Sequence, residues 1–176
     1  MLVSAKNWEE DVKSNLREYW YDLKYQYFFG NFYEDFNVAN DDYWKRQFVY
    51  FNDYYDDRVK GYFSYDIDRD VKSISNIGLI SFGKKQTNFI QEVVNHLDWL
   101  MTSKTIDRIE FFAYEDNPAI KSYRRLVKRF GGEQAGKFTN SQRLYDGKLH
   151  NIIFFEVLRE DYEKTDYYKR KHGGTQ

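Results

Sequence analysis

The chain has 176 residues, a length that suits one domain better than two. It contains no cysteine, and its first residues lack the apolar stretch of a secretion signal, so we expect a cytoplasmic protein. Lysine and arginine (27) nearly balance aspartate and glutamate (28), which disfavours a globally basic nucleic-acid-binding protein. No run approaches the ~18 apolar residues of a membrane span, so no membrane contact is expected.

Aromatic side chains make up 20% of the chain, with 17 tyrosines and 15 phenylalanines. We interpret them as core residues that take the place of aliphatic ones. The other interpretation, a surface that stacks on bases, is less favoured because such surfaces normally carry positive charge.

The first half of the chain predicts one helix followed by strands. Apolar residues recur at three- and four-residue steps over 7–29, which indicates a long helix that ends near Gly30. The segment 33–44 is acidic and aromatic, and a short helix over 42–47 is one interpretation of it. Strands are predicted over 48–51, 58–67 and 74–82, and together they would form an antiparallel meander.

The second half predicts alternating helices and strands. Helices are expected over 88–102 and 118–130, the second with Pro118 in its first turn and Gly131-Gly132 at its end. Strands are expected over 108–114, 137–144 and 152–158. No linker divides the chain, so we predict a single domain over 1–163 and a disordered tail over 164–176. The fold class is α/β (α+β), with a mixed, mostly antiparallel sheet and helices on both faces.

Two short motifs carry a resemblance to a known family. Residues 116–123 read DNPAIKSY and resemble the E-N-P-A helix start, with its following tyrosine, of the GCN5-related N-acetyltransferase (GNAT) superfamily. Residues 145–150 and 155–162 resemble the closing hairpin of its ribosomal-protein-alanine acetyltransferase branch. The resemblance covers 58–162, and the predicted order of elements is that of the GNAT fold.

The resemblance implies a site for acetyl-coenzyme A, whose pyrophosphate would lie at the N-terminus of the helix that follows the third strand. The loop at 83–88 departs from the family pattern R/Q-x-x-G-x-G/A, because both later glycines are missing. Such a loop either binds in a shortened form, binds weakly, or is an ordinary polar loop. The implied cofactor-binding residues are Ile80, Ser81, Phe82, Gly83, Lys84, Lys85, Gln86, Thr87, Asn88, Asn117, Ser122 and Tyr123.

The resemblance also implies a catalytic role for Tyr123, as the acid that protonates the departing thiolate of coenzyme A. A phenol suits this task because its ordinary pKa of ~10 lies above that of a thiol. The alternative is core packing, since Ile120, Tyr123 and Val127 have helical spacing. Asn117 would contact the cofactor or, alternatively, cap the helix.

Two carboxylates on or beside the 108–114 strand, Glu110 and Glu115, are candidates for the general base that accepts a proton from the amine. Their alternative role is that of solvated strand-end side chains. The histidines His96, His150 and His172 lack any zinc-binding spacing, so no metal site is predicted.

The favoured hypothesis is transfer of an acetyl group from acetyl-CoA to a primary amine in a ternary complex. The acceptor is a small molecule or a protein N-terminus, and the segment 33–44 with Asp53, Asp56 and Asp57 is a candidate surface for a cationic amine. One alternative is a GNAT-like fold that acts only as a CoA-binding or protein-interaction module. Another is an unrelated α/β domain with a buried Tyr123. A homodimer is expected by analogy alone.

Overall fold

A computed structural model of the protein describes residues 1–28, 33–40, 43–52, 58–83, 86–103 and 105–173. The strands are β1 (Leu2–Ser4), β2 (Lys45–Tyr50), β3 (Gly61–Asp68), β4 (Ser73–Ser81), β5 (Arg108–Tyr114), β6 (Glu133–Arg143) and β7 (Leu149–Leu158). The α-helices are α1 (Glu9–Tyr19), α2 (Thr87–Thr102), α3 (Ile120–Arg129), α4 (Arg159–Lys164) and α5 (Asp166–His172). None of the helices in these ranges is long and apolar enough to cross a membrane.

The chain forms two structural units, which we call unit 1 (1–67 with 76–99) and unit 2 (68–75 with 100–176). In unit 1, β1 pairs antiparallel with β2, and β2 pairs antiparallel with β3. Helix α1 buries Val12 and Leu16 in an apolar cluster that also contains Val49 and Phe82. The apolar stripe of the helix therefore covers this part of the sheet.

In unit 2, the first residues of β4 pair parallel with β5, β5 pairs antiparallel with β7, and β7 pairs antiparallel with β6. The hydrogen-bonded strand order is β1-β2-β3-β4-β5-β7-β6. The predicted mixed, mostly antiparallel sheet is thereby confirmed. The long β6–β7 hairpin shifts register twice, between Gln134 and Gly136 and between Phe138 and Gln142.

Aromatic rings fill the interior of both units, as their number in the sequence predicts. In unit 1 the ring of Phe89 lies against Gly61, where an added Cβ would stand 2.6 Å from the ring. In unit 2 Phe111 stacks on Phe155 with a centroid distance of 5.0 Å. The largest fully buried aromatic side chains are Tyr50, Tyr65, Tyr114, Tyr162, Phe63, Phe89, Phe130 and Phe155.

The first helix is shorter than the sequence predicts. Helix α1 ends at Tyr19, although the apolar spacing continues to Tyr27. Asp22 has an extended backbone, and its side chain accepts a hydrogen bond from the Lys24 N–H at 2.9 Å, which starts a 3-10 turn instead. A short acidic side chain competes with the helix for backbone N–H groups in this way. The predicted end at Gly30 lies outside the described residues.

Two further differences concern short segments. The helix interpretation for 42–47 was wrong, because β2 begins at Lys45, which pairs with Asp66 of β3. Helix α5 occupies Asp166–His172, within the segment for which the sequence predicts disorder. The side chain of Thr165 caps this helix by accepting a hydrogen bond from the Tyr168 N–H, and the ring of Tyr167 stacks on Phe130 at 5.4 Å.

Candidate functional site

In unit 1, the predicted cofactor loop follows β4 and leads into α2. The side chains of Ile80 and Phe82 are buried in the apolar cluster beneath α1, so these side chains are not available to a ligand. The Phe82 N–H donates to the carbonyl oxygen of Lys60 at 2.9 Å. Ser81 is half-buried.

Gly83 begins this loop in the left-handed region, with φ at +71°. A glycine adopts this conformation without strain. Its N–H donates to the Tyr25 hydroxyl at 3.0 Å, and its carbonyl oxygen accepts from the Lys24 ammonium at 3.1 Å. The 3-10 turn at Leu23–Tyr25 therefore holds Gly83 in place and adds a positive charge beside it. The sequence did not single out Lys24 or Tyr25, which are 58 or more positions away from Gly83.

The N-terminus of α2 is suited to an anion. Its first turn contains no acidic residue, so the partial positive charge of the helix end is not neutralised from within. The first helical bond is donated by the Ile90 N–H to Gln86, and the N–H groups of Thr87, Asn88 and Phe89 have no acceptor among the described residues. The predicted Lys84 and Lys85 lie outside the described residues.

In unit 2, the second predicted set lies where β5 turns into α3. The side-chain oxygen of Asn117 accepts a hydrogen bond from the Ala119 N–H at 2.8 Å, so Asn117 organises the turn before α3. The bond lies within the turn and is not the helix cap that the sequence offered as an alternative, because the N-cap residue of α3 is Ala119, which makes no side-chain cap hydrogen bond. It leaves the amide NH₂ of Asn117 without a partner in the described part of the chain. Ser122 is exposed, and its hydroxyl accepts from Arg125 at 3.4 Å.

Tyr123 is half-buried on α3 and packs edge-to-face on Phe111 of β5, with a centroid distance of 6.0 Å. Burial raises the pKa of its phenol above the ordinary value. Its hydroxyl forms no hydrogen bond with any residue that the structure describes. The packing of the ring agrees with the core interpretation, and the catalytic role of the hydroxyl stays a prediction.

The two candidate bases are both ion-paired. The Glu115 carboxylate accepts from Lys137 and from Asn151, each at 2.7 Å, and these bonds lower its pKa. A lowered pKa weakens a carboxylate as a proton acceptor, which argues against Glu115 as the general base. Glu110 lies 3.2 Å from the guanidinium of Arg108, which also pairs with Glu156 at 2.6 Å.

A buried histidine that the sequence did not single out lies beside this turn. His150 is 4% exposed, and its two ring nitrogens face two carboxylates, Asp116 at 2.6 Å and Asp146 at 2.9 Å. Its ring also meets the edge of Tyr114 at 6.0 Å. The cluster joins the end of β5 to the turn between β6 and β7. Burial lowers the pKa of His150, but the hydrogen bonds and charges of the two carboxylates outweigh it and raise the pKa.

The remaining histidines give no metal site. The His96 ring nitrogen lies 2.9 Å from the Tyr65 hydroxyl, and burial together with Arg46 lowers its pKa to about 4. Across the described ranges, no group of three or more His, Asp or Glu side chains is placed to hold a metal ion.

The acidic and aromatic segment proposed for an acceptor is only partly described. Tyr33 meets Trp20 edge-on at 5.8 Å, and the guanidinium of Arg17 lies over its ring at 5.3 Å. Glu34 and Asp35 are exposed, whereas Phe36 is buried under Tyr62. The other predicted acids, Asp53, Asp56 and Asp57, lie outside the described residues.

Three solved structures resemble this fold over most of their length. The spermidine N-acetyltransferase of Vibrio cholerae, solved with CoA and spermine, matches with a TM-score of 0.70 and 15% identity over 92% of this chain and 96% of that one. The RimL ribosomal alpha-N-protein acetyltransferase, solved with coenzyme A, matches with a TM-score of 0.67 and 13% identity over 89% and 92%. A Salmonella typhimurium acetyltransferase that modifies the N-terminal serine of a ribosomal protein matches with a TM-score of 0.65 and 13% identity, over 89% of this chain and 93% of that one.

Sequence comparison alone finds no such relationship: no protein-family profile and no curated protein matches the chain. The structural likeness nevertheless extends over about nine-tenths of each chain, and the strand order and helix positions agree with the resemblance that residues 116–123 carry. This chain has the fold of the GCN5-related N-acetyltransferases.

Proposed function

We propose that this protein is an N-acetyltransferase that transfers an acetyl group from acetyl-CoA to a primary amine by direct attack in a ternary complex. The observation that carries the proposal is the half-buried Tyr123, whose hydroxyl has no hydrogen-bond partner among the described residues and which stands in the stretch that resembles the family's helix start and following tyrosine. The structural neighbours that were solved with CoA act on amines, which supports the same reaction class.

The residues around Gly83 fit the pyrophosphate of acetyl-CoA. The N–H groups of Thr87, Asn88 and Phe89 would donate to phosphate oxygens, with Lys24, Lys84 and Lys85 adding positive charge. Among the described residues, a Cβ added at Gly83 would meet the Tyr19 hydroxyl alone, at 3.6 Å. When bound, acetyl-CoA supplies the acetyl group and a thiolate leaving group.

Tyr123 acts in this proposal as the general acid. A phenol whose pKa is raised by burial stays protonated at neutral pH, and it therefore has a proton to give when the thiolate departs. The phenol is neutral before it gives up the proton. A half-buried position favours such a neutral acid, because burial disfavours a charged group. The edge-to-face contact with Phe111 fixes the direction of the ring.

We propose a primary amine as the acceptor. An assay of acetyl transfer to each class distinguishes a polyamine from a protein N-terminus. Glu34 and Asp35 are exposed near the aromatic pair Trp20 and Tyr33, which suits a cationic amine. Spermidine and a short peptide with an N-terminal serine are the two probes, since the structural neighbours act on these classes.

A thermal-shift titration tests the cofactor. Acetyl-CoA and CoA are added to the wild type and to Lys84→Ala/Lys85→Ala, with Lys6→Ala/Lys45→Ala as a control that removes the same charge elsewhere. A ligand that binds only the native state should stabilise it by about 2.7 kcal/mol at 100 times its Kd. We expect a shift in the wild type and the control, and a smaller one in Lys84→Ala/Lys85→Ala. No shift with either ligand at about millimolar concentration would reject the proposed function.

Acetyl transfer to the two amine probes tests the chemistry. In Tyr123→Phe we expect kcat to fall by about 10²-fold or more, which is typical for loss of a general acid, while the CoA thermal shift is kept. A wild type that binds CoA and transfers to neither amine would instead favour the module that binds the cofactor without turnover.

A further inference from the structure

Helix α3 carries five cations on one face and no acidic residue. They recur at positions i, i+3, i+4, i+7 and i+8, a spacing that places them in a single stripe along the helix. All five side chains are exposed, whereas Ile120 and Val127 on the opposite face are buried. We call these five residues the basic stripe: Lys121, Arg124, Arg125, Lys128 and Arg129.

Among the described residues, one carboxylate acts on the stripe: Glu115 is itself paired with Lys137, which lowers its pKa most, and the charge of Arg124 helps to lower that pKa. Within the described part of the chain, none of its five side chains lies within ion-pair distance of a carboxylate. The Arg125 guanidinium donates instead to the Lys121 carbonyl oxygen at 3.3 Å and to the Ser122 hydroxyl at 3.4 Å. Like charges four residues apart, such as Arg124 and Lys128, destabilise a helix. This repulsion is offset in part at Lys128 and Arg129, which lie in the last turn of α3, where the helix dipole favours cations.

Helix α5 extends the positive surface in the same unit. The ring of Tyr167 stacks on Phe130, and two cations lie against it, the Arg129 guanidinium at 5.7 Å and the Lys171 ammonium at 5.6 Å. Lys169 and Arg170 are exposed on the same short helix. The surface thus spans two helices that touch at Tyr167.

We propose that the basic stripe, together with the cations of α5, binds the phosphate backbone of a nucleic acid. Guanidinium groups bind phosphate, as they bind carboxylate, in paired hydrogen bonds, and three of the five stripe residues are arginines. The balanced charge of the whole chain predicts no such partner. A net charge does not show how the charges are distributed, and every charged residue of α3 is a lysine or an arginine.

The other polyanions fit less well. A membrane-binding helix inserts large apolar side chains among its cations, and a protein interface needs an aromatic or aliphatic anchor. Among the described residues, no large exposed hydrophobic side chain lies on α3 or α5. A phosphate backbone needs neither feature, because its binding rests on charge.

Fluorescence anisotropy tests this surface with labelled single-stranded RNA of about 20 nucleotides and with the same length of duplex, between about 50 and 200 mM salt. The five stripe residues alone, with one phosphate contact each, predict a slope of log K against log salt of about −3.5 for the single strand and about −4.5 for the duplex, and contacts from α5 would make both slopes steeper. In Lys128→Gln/Arg129→Gln the slope should weaken by about 1.4 on the single strand, because two contacts are lost. In Lys6→Gln/Lys45→Gln, which loses the same charge from unit 1, both slopes should stay as in the wild type.

Three results would overturn the proposal: no binding at about 50 mM salt, an equal loss in the two double variants, or equal binding of polyglutamate or of phosphatidylserine vesicles. Displacement of the RNA by CoA at a concentration that saturates the thermal shift would also overturn it, since the stripe would then belong to the cofactor. None of these measurements uses acetyl transfer, so the proposed function and this surface fail independently.

Discussion

The surroundings of His150 in unit 2 favour the cationic form of its ring. Its two ring nitrogens lie 2.6 Å and 2.9 Å from carboxylate oxygens of Asp116 and Asp146. An ionised carboxylate only accepts hydrogen bonds, so both bonds form together only when both ring nitrogens carry a proton. Burial acts against this charge, but the two acidic partners outweigh it and raise the pKa of His150.

The stability that His150 contributes should fall as the pH rises. A pKa that is raised in the folded state gives stability that is complete below the unfolded pKa of ~6.5 and is lost as the pH passes the folded value. We expect His150→Gln to lower the free energy of unfolding by about 1–3 kcal/mol near pH 6 and by less near pH 9. Urea unfolding at the two pH values measures this difference.

His96 provides the opposite control. Its pKa is lowered to about 4 in the folded state, so its contribution is complete above ~6.5 and is lost as the pH falls toward 4. The loss in His96→Gln should therefore shrink between about pH 7 and pH 5. If the two variants showed the same dependence on pH, the charge state assigned to His150 would be wrong.

The sequence predicts individual site residues only where a local motif carries them. Asn117 and Tyr123 stand in one stretch of eight residues, so their resemblance to a helix start can be recognised directly. His150 and Asp116 are 34 positions apart, and only the pairing of β5 with β7 brings them together. Lys24 reaches Gly83 across 59 positions by the same kind of long-range contact. Such pairs leave no periodic signal in a single sequence.

At the scale of elements, a periodic pattern predicts an element well where no local hydrogen bond or long-range pairing competes with it. The predicted strand over 108–114 is β5 itself, and the predicted helix over 88–102 differs from α2 by one residue. The three-residue strand β1 has no pattern of its own and exists because β2 offers it a pairing edge. Helix α1 ends early because one aspartate outweighs the apolar spacing beyond it.

The glycine pair after α3 does more than end the helix. Gly131 has φ at +74°, as a helix-terminating glycine does. Gly132 is needed for space, because an added Cβ would stand 2.2 Å from the Glu156 carbonyl oxygen and 2.6 Å from a methyl carbon of Val157 in β7. The sequence signals the stop, but only the structure shows how close the backbone of β7 lies.

We expect Gly132→Ala to destabilise the protein by about 1–3 kcal/mol, as overpacking against a backbone does. Gly136→Ala is the matched control in β6, since its added Cβ would meet nothing within 4 Å. The control should be as stable as the wild type or slightly more so, because alanine is favoured over glycine in a strand. Urea unfolding compares the three proteins, and equal midpoints would mean that the chain does not pass this close to β7.

At the scale of the whole molecule, the boundaries between the two units fall inside regular elements. Residues 73–75 of β4 belong to unit 2 and 76–81 to unit 1, while α2 passes from unit 1 to unit 2 after Trp99. Independent domains are normally separated in exposed, flexible linkers. Because β4 and α2 each contain residues of both units, neither unit consists of whole elements alone.

We therefore predict that the chain unfolds in one cooperative transition, in agreement with the single domain expected from its sequence. For 176 residues the unfolding enthalpy near 60 °C should be roughly 120 kcal/mol, and the calorimetric and van't Hoff values should agree. Differential scanning calorimetry measures both. Saturating CoA should move this one transition upward as a whole, because a ligand of the native state stabilises everything that unfolds with its site. Two resolved transitions, only one of which responds to CoA, would instead show that the units unfold independently.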